Sequence, residues 1–118
     1  MYEYKAKVVK VVDGDTVDFL VDLGFDTWKK IRARLYGINA PESRTRDLEE
    51  KKRGLESKKF LTDTLANFDN ECIVKSRGTG KYGRCLAEIF INDLNPEISI
   101  NQQMVDVGLA EEYFGGKR

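Results

Sequence analysis

Short runs of β-type alternation, broken once by a helical stretch midway, constrain this chain more than any other feature of its sequence. Tyr4 to Val12 is rich in valine and reads as a first strand. Asp13-Gly14-Asp15 interrupts it, and Thr16 to Leu23 resumes with Val17, Phe19 and Val21 on one face and Asp18, Leu20 and Asp22 on the other. Gly24 to Thr27 is a turn before a third alternating run, Trp28 to Tyr36. Gly37 to Ser43 is expected to be irregular, since Pro41 cannot donate to a ladder and holds Ala40 extended.

The charged run Arg44 to Arg53 reads as a solvated loop or frayed first turn, with Gly54 ahead of a helix. In that helix Leu55, Phe60, Leu61, Leu65 and Phe68 fall near helical spacing and form its apolar face. Strand patterning returns over Asn70 to Ser76 and Lys81 to Ile91, with a glycine-punctuated turn at Arg77 to Gly80 and another turn at Asn92 to Pro96. Ser99 is the expected N-cap of a short helix that Gly108 ends, and the chain finishes extended. This order describes a mainly β, α+β fold: a five-stranded β-barrel of the oligonucleotide-binding (OB-fold) type capped by a helix. A β-sandwich fits less well, because the helix splits the strand series. At 118 residues, positions 1–118 are expected to form a single domain.

Composition narrows the chemistry. The chain has His 0, which excludes Ser-His-Asp and Cys-His catalysis and His-ligated zinc. Lys+Arg 20 balance Asp+Glu 20, so a nucleic-acid surface would have to be a local patch. Cys72 and Cys85 form no CxxC pair, and the N-terminal run MYEYKAKVVK has no apolar core of signal-peptide length. A cytoplasmic, monomeric protein with free thiols and no membrane span is expected.

Two oxygen-rich turns at strand ends stand out: Asp13 to Asp15, and Asn39-Ala40-Pro41-Glu42. Either alone is an ordinary turn. Side by side, their carboxylate, amide and carbonyl oxygens would suit Ca²⁺ or Mg²⁺ rather than zinc. Arg34 shares a strand face with Arg32, and Arg84 opens a later strand. Two guanidinium groups beside such a cation would clamp a phosphate.

The runs VVDGDTV, RARLYGINAPES, GLESKKFL, KYGRCLAEIF and INQQMVDVGLAEEY, in this order, resemble the staphylococcal nuclease (thermonuclease-like) family from about Val11 to Tyr113. The resemblance implies an OB-type barrel and metal-dependent hydrolysis of phosphodiester bonds in DNA and RNA, with Ca²⁺ as the cofactor and Mg²⁺ or Mn²⁺ as alternatives. By motif position it implies Asp15 as a metal ligand with Asp13 and Thr16 beside it, and Ala40 contributing a backbone carbonyl. Glu42 matches the carboxylate that orients or deprotonates water, and Arg34 and Arg84 match the pair that holds the phosphate. Tyr82, Lys81 and Tyr113 fall where substrate contacts are expected. One departure is Asn39, which stands where active members usually carry a second metal-binding aspartate. A catalytically weak, nucleic-acid-binding module is therefore the second expectation.

Overall fold

The alternating runs become strands of a closed barrel in the computed structural model, which describes residues 3–43, 45–79, 85–91 and 99–113. In chain order the elements are β1 (Glu3–Asp13), β2 (Thr16–Asp22), β3 (Trp28–Leu35), β4 (Ile38–Asn39), α1 (Leu48–Ala66), β5 (Glu71–Thr79), β6 (Cys85–Phe90), α2 (Ile100–Asp106) and β7 (Glu111–Glu112). The barrel runs β1-β2-β3-β6-β5 and closes where β5 returns to β1. All its pairs are antiparallel except β3 with β6, where Ala33 lies opposite Cys85 and Leu35 opposite Ala87. Such a parallel pair needs a long crossover, and the segment carrying α1 and β5 supplies it.

Alternation sets the register. Val17, Phe19 and Val21 of β2 point into the barrel, and Ala33 and Leu35 of β3 join them, all nearly or fully buried. Leu61 and Leu65 of α1 and Ile100 and Met104 of α2 close the core with no exposed surface. Burial of each such leucine contributes about 1.5–3 kcal/mol relative to an exposed one.

Four expectations need correction. The helix begins at Leu48, not Leu55, because Asp47 caps it by accepting from the amides of Glu49 (3.0 Å) and Glu50 (3.2 Å). Glu49 and Glu50 then sit at the positive end of the helix dipole, so Leu48 to Arg53 belong to the helix rather than to a loop. Its buried face is Gly54, Ser57, Leu61 and Leu65, while Leu55 is exposed. The segment after Gly37 is not wholly irregular, since β4 pairs with β7, Ile38 opposite Glu112 and Asn39 opposite Glu111. Arg77 to Thr79 continue β5 through a register shift at Gly78, whose φ of +96° takes up the irregularity, instead of turning there. The turn expected at Asn92 to Pro96 lies outside the described residues. Among the described residues, no helix is long and apolar enough to cross a membrane.

Candidate active site

The two oxygen-rich turns meet. Asp15, almost buried, accepts from the Ala40 amide at 3.1 Å through Oδ2 and from Thr16 Oγ1 at 3.2 Å through Oδ1. Its own carbonyl accepts from the Leu35 amide at 2.8 Å, which ties the β1–β2 turn to the end of β3. Asp13 accepts from the Ser43 hydroxyl and, at 3.4 Å, from the Ser43 amide. Each acid of the first turn thus holds the backbone of the second, and Glu42 lies on the segment between those two anchors. The Glu42 side chain is exposed, on the wall of a cleft of about 780 Å³ shared with Asn39, Ala40, Arg53, Ser57 and Tyr113.

Helix α1 is the floor under both turns. A Cβ on Gly54 would lie 2.3 Å from the Glu42 carbonyl oxygen, and one on Gly14 would lie 2.7 Å from the Ser57 Cβ. Only glycine permits backbone this close. Ser57 Oγ donates at 2.6 Å to the Leu109 carbonyl, which brings the segment leading to β7 into the same cluster. Ser43, Gly54 and Ser57 escaped the reading of the sequence. A glycine within a helical, charged run was the one available sign, since it costs helix stability and so points to a close packing approach.

Arg34 stands opposite Thr16 across the β2–β3 ladder. Its Nη2 donates to Asn39 Oδ1 at 3.4 Å, and its guanidinium lies 5.2 Å from the centroid of the Tyr113 ring. The Tyr113 amide donates to the Gly37 carbonyl at 2.8 Å, fixing the ring's approach. Six of the expected site residues, Asp15, Thr16, Arg34, Asn39, Ala40 and Tyr113, are therefore joined by direct contacts, and Asp13 holds Ser43 next to Glu42. Lys81, Tyr82 and Arg84 lie outside the described residues. Among the described residues no three acidic, cysteine or histidine side chains converge as metal ligands. Of the three oxygens expected to hold a cation, only the Asp15 carboxylate is charged; the Asn39 amide and the Ala40 carbonyl are neutral, and Asn39 Oδ1 accepts from Arg34.

A family profile described as staphylococcal nuclease homologue matches residues 32–118, from the middle of β3 onward. The chain belongs to that family. Among curated relatives, an uncharacterized protein of Methanocaldococcus jannaschii is 36% identical over 133 aligned positions, covering 94% of this chain and 60% of the relative. The protein ParB of Escherichia coli is 32% identical, covering 98% and 61%. A protein named micrococcal nuclease from Shigella flexneri is 31% identical, covering 94% and 59%. This staphylococcal nuclease homologue thus spans about 60% of the length of these relatives. The closed five-stranded barrel with its two helices is the OB-type fold that membership entails.

Proposed function

We propose that this chain is a metal-dependent nuclease that hydrolyses phosphodiester bonds of DNA or RNA, with residues 1–118 acting as one monomeric domain. The observation that carries the reading is the Asp15 to Ala40 hydrogen bond, which sets the β1–β2 turn against the segment bearing Asn39 and Glu42, beside Arg34. Nuclease-named relatives point to the same reaction.

Asp15, Asn39 Oδ1 and the Ala40 carbonyl would hold Ca²⁺, or else Mg²⁺ or Mn²⁺. When bound, such an ion polarises a phosphate and lowers the charge that attack must overcome. The chain's own groups do the rest. Arg34 offers planar N–H donors to the phosphate oxygens as negative charge grows on them. Glu42, exposed to solvent, orients a water and accepts its proton. Asp13 contributes indirectly, by holding Ser43 and with it the backbone next to Glu42. Arg84 would complete the clamp, and Tyr113, Tyr82 and Lys81 would meet the nucleotide.

A second reading, a nucleic-acid-binding module with a weak or silent site, is favoured by the neutral Asn39 and the absence of three converging acids among the described residues. Digestion of single-stranded DNA with Ca²⁺, Mg²⁺ or Mn²⁺ against a chelator control separates the two. The enzyme reading expects metal-dependent cleavage that Glu42→Gln lowers by about 10²-fold or more. It also expects Asn39→Asp to cut at lower metal concentration, by restoring a ligand charge. Cleavage seen only in Asn39→Asp would establish the second reading, and an unchanged rate in Glu42→Gln would remove that residue from the reaction.

A further inference from the structure

The outer face of β3 carries a ladder that begins at the candidate site and runs away from it. Ala33 and Leu35 point into the barrel, each 1% exposed, so the alternate residues Arg34, Arg32, Lys30 and Trp28 share the opposite face. Alternate residues of a strand stand about 6.6 Å apart, and Arg34 to Trp28 spans about 20 Å. That step is close to the separation of phosphates along an extended single strand.

Neighbouring strands widen the ladder. Leu20 of β2 lies between Lys7 and Lys30 in the register, and Asp18 lies between Lys10 and Arg32. Arg32 holds Asp18 through Nε at 2.8 Å and Nη2 at 3.2 Å, yet 60% of its side-chain surface stays exposed. One carboxylate is thus surrounded by three cations, and the Arg32 hydrogen bond first, with the fields of Arg32, Lys30 and Lys10 behind it, holds its pKa below 3.8. Asp22, the other acid of β2 on this face, accepts from the Gly24 amide at 2.8 Å and is committed to the hairpin turn, and Glu71 of β5 stands opposite Lys7 at the edge of the ladder.

Apolar exposure collects on the same face and its tip. Val9, Leu20, Leu23, Phe25 and Trp28 make up most of the large apolar side chains exposed among the described residues. Lys7 Nζ lies 5.2 Å from the Trp28 ring centroid, so cation and aromatic surface are interleaved. Phe25 is fully exposed at the tip of the β2–β3 hairpin with φ of 54°, and Asp26 follows at 55°. A hairpin turn with two left-handed central residues ordinarily uses Asn-Gly. Phenylalanine there is strained and packs against nothing in the core, which is a structural cost without a structural return.

We propose that this face is an extended binding track for single-stranded nucleic acid, with Arg32, Lys30, Lys7 and Lys10 on the phosphates and Trp28 and Phe25 stacking on bases beyond the cleavage point. It extends the placement of Arg34 under Proposed function and supplies a reason for length-dependent affinity. Charge, step length, aromatic interleaving and continuity with Arg34 all favour a polynucleotide over a lipid surface.

Fluorescence anisotropy tests it with labelled oligothymidylates of about 4 and about 16 nucleotides, in excess chelator so that nothing is cut. The longer oligonucleotide is expected to bind at least about tenfold more tightly to the natural chain. Lys7→Gln with Lys30→Gln should remove most of that advantage and flatten the salt slope by about 1.4, as loss of two phosphate contacts requires. Phe25→Ser should weaken the longer oligonucleotide roughly fivefold with the slope unchanged, because it removes stacking and not charge. At a fully exposed tip Phe25→Ser leaves the core intact, which a thermal melt checks. Lys59→Gln, on the exposed surface of α1, is the control expected to change nothing. Unaltered affinity and slope in the double variant overturn the track, as does capture by phosphatidylserine vesicles with no length-dependent oligonucleotide binding. If metal-dependent cleavage is absent while the Lys and Phe effects persist, the hydrolase reading fails and the track stands. If cleavage is robust and the variants bind normally, the reverse holds.

Discussion

A Cβ on Gly54 would lie 2.3 Å from the Glu42 carbonyl oxygen and 2.6 Å from the Ser43 nitrogen, both backbone atoms that no rotamer change can clear. Replacing a mid-helix glycine by alanine ordinarily stabilises a helix by roughly 0.5–1 kcal/mol. Here the sign should reverse, with Gly54→Ala costing about 1–3 kcal/mol through overpacking. Urea unfolding midpoints check this, and a stabilised Gly54→Ala would show that α1 and the Glu42 segment are not in contact. At the site, Asp13, Asp15, Arg34, Asn39 and Glu42 were singled out by the order of their motifs along the chain, each turn alone being ordinary, and the structure brings their segments together. Gly54, Ser43 and Ser57 could not be singled out, because their roles arise from distances between segments that the local sequence does not encode.

Among the elements, the β2–β3 hairpin carries a titratable lock across its outer face. The Arg32 hydrogen bond and the surrounding cations favour ionised Asp18, lowering its pKa in the folded state from 3.8. A depressed carboxylate stabilises the fold fully above its unfolded pKa and loses that contribution as pH falls through the folded value. Asp18→Asn should therefore melt below the natural chain near neutral pH, and the gap should close as pH drops below 3.8. Thermal melts across that range test it, and a gap that is constant with pH would assign the loss to packing. The five barrel strands were readable from alternation with small errors at the ends, whereas the two-residue β4 was missed because its pairing with β7 leaves no periodicity to read. The start of α1 was not, because a run of charged residues fits loop and exposed helix equally well. Asp47 decides between them only once its carboxylate is seen on the Glu49 and Glu50 amides.

For the molecule as a whole, barrel closure determines which side chains meet solvent and which do not. Cys72 lies in the core at 4% exposure, and burial pushes its thiol up to about 12, while half-buried Cys85 is raised by the same cause. At pH 8, iodoacetamide should label Cys85 slowly and Cys72 only as fast as the fold opens, with urea abolishing the difference. Mass spectrometry of the peptides reads this, and rapid labelling of native Cys72 would contradict the closed barrel. By itself the sequence determined the strand periodicity, the presence of one substantial helix, the absence of imidazole chemistry and the composition of two oxygen-rich turns. These are local quantities, set by residue type and spacing of a few positions. Only the tertiary structure decided that Asp15 grips Ala40, that β4 finds its partner in β7, and that Lys7 of β1 and Lys30 of β3 flank Leu20 across the sheet. Those relations depend on how distant segments close around a shared core, and no window of sequence contains both sides of any such contact.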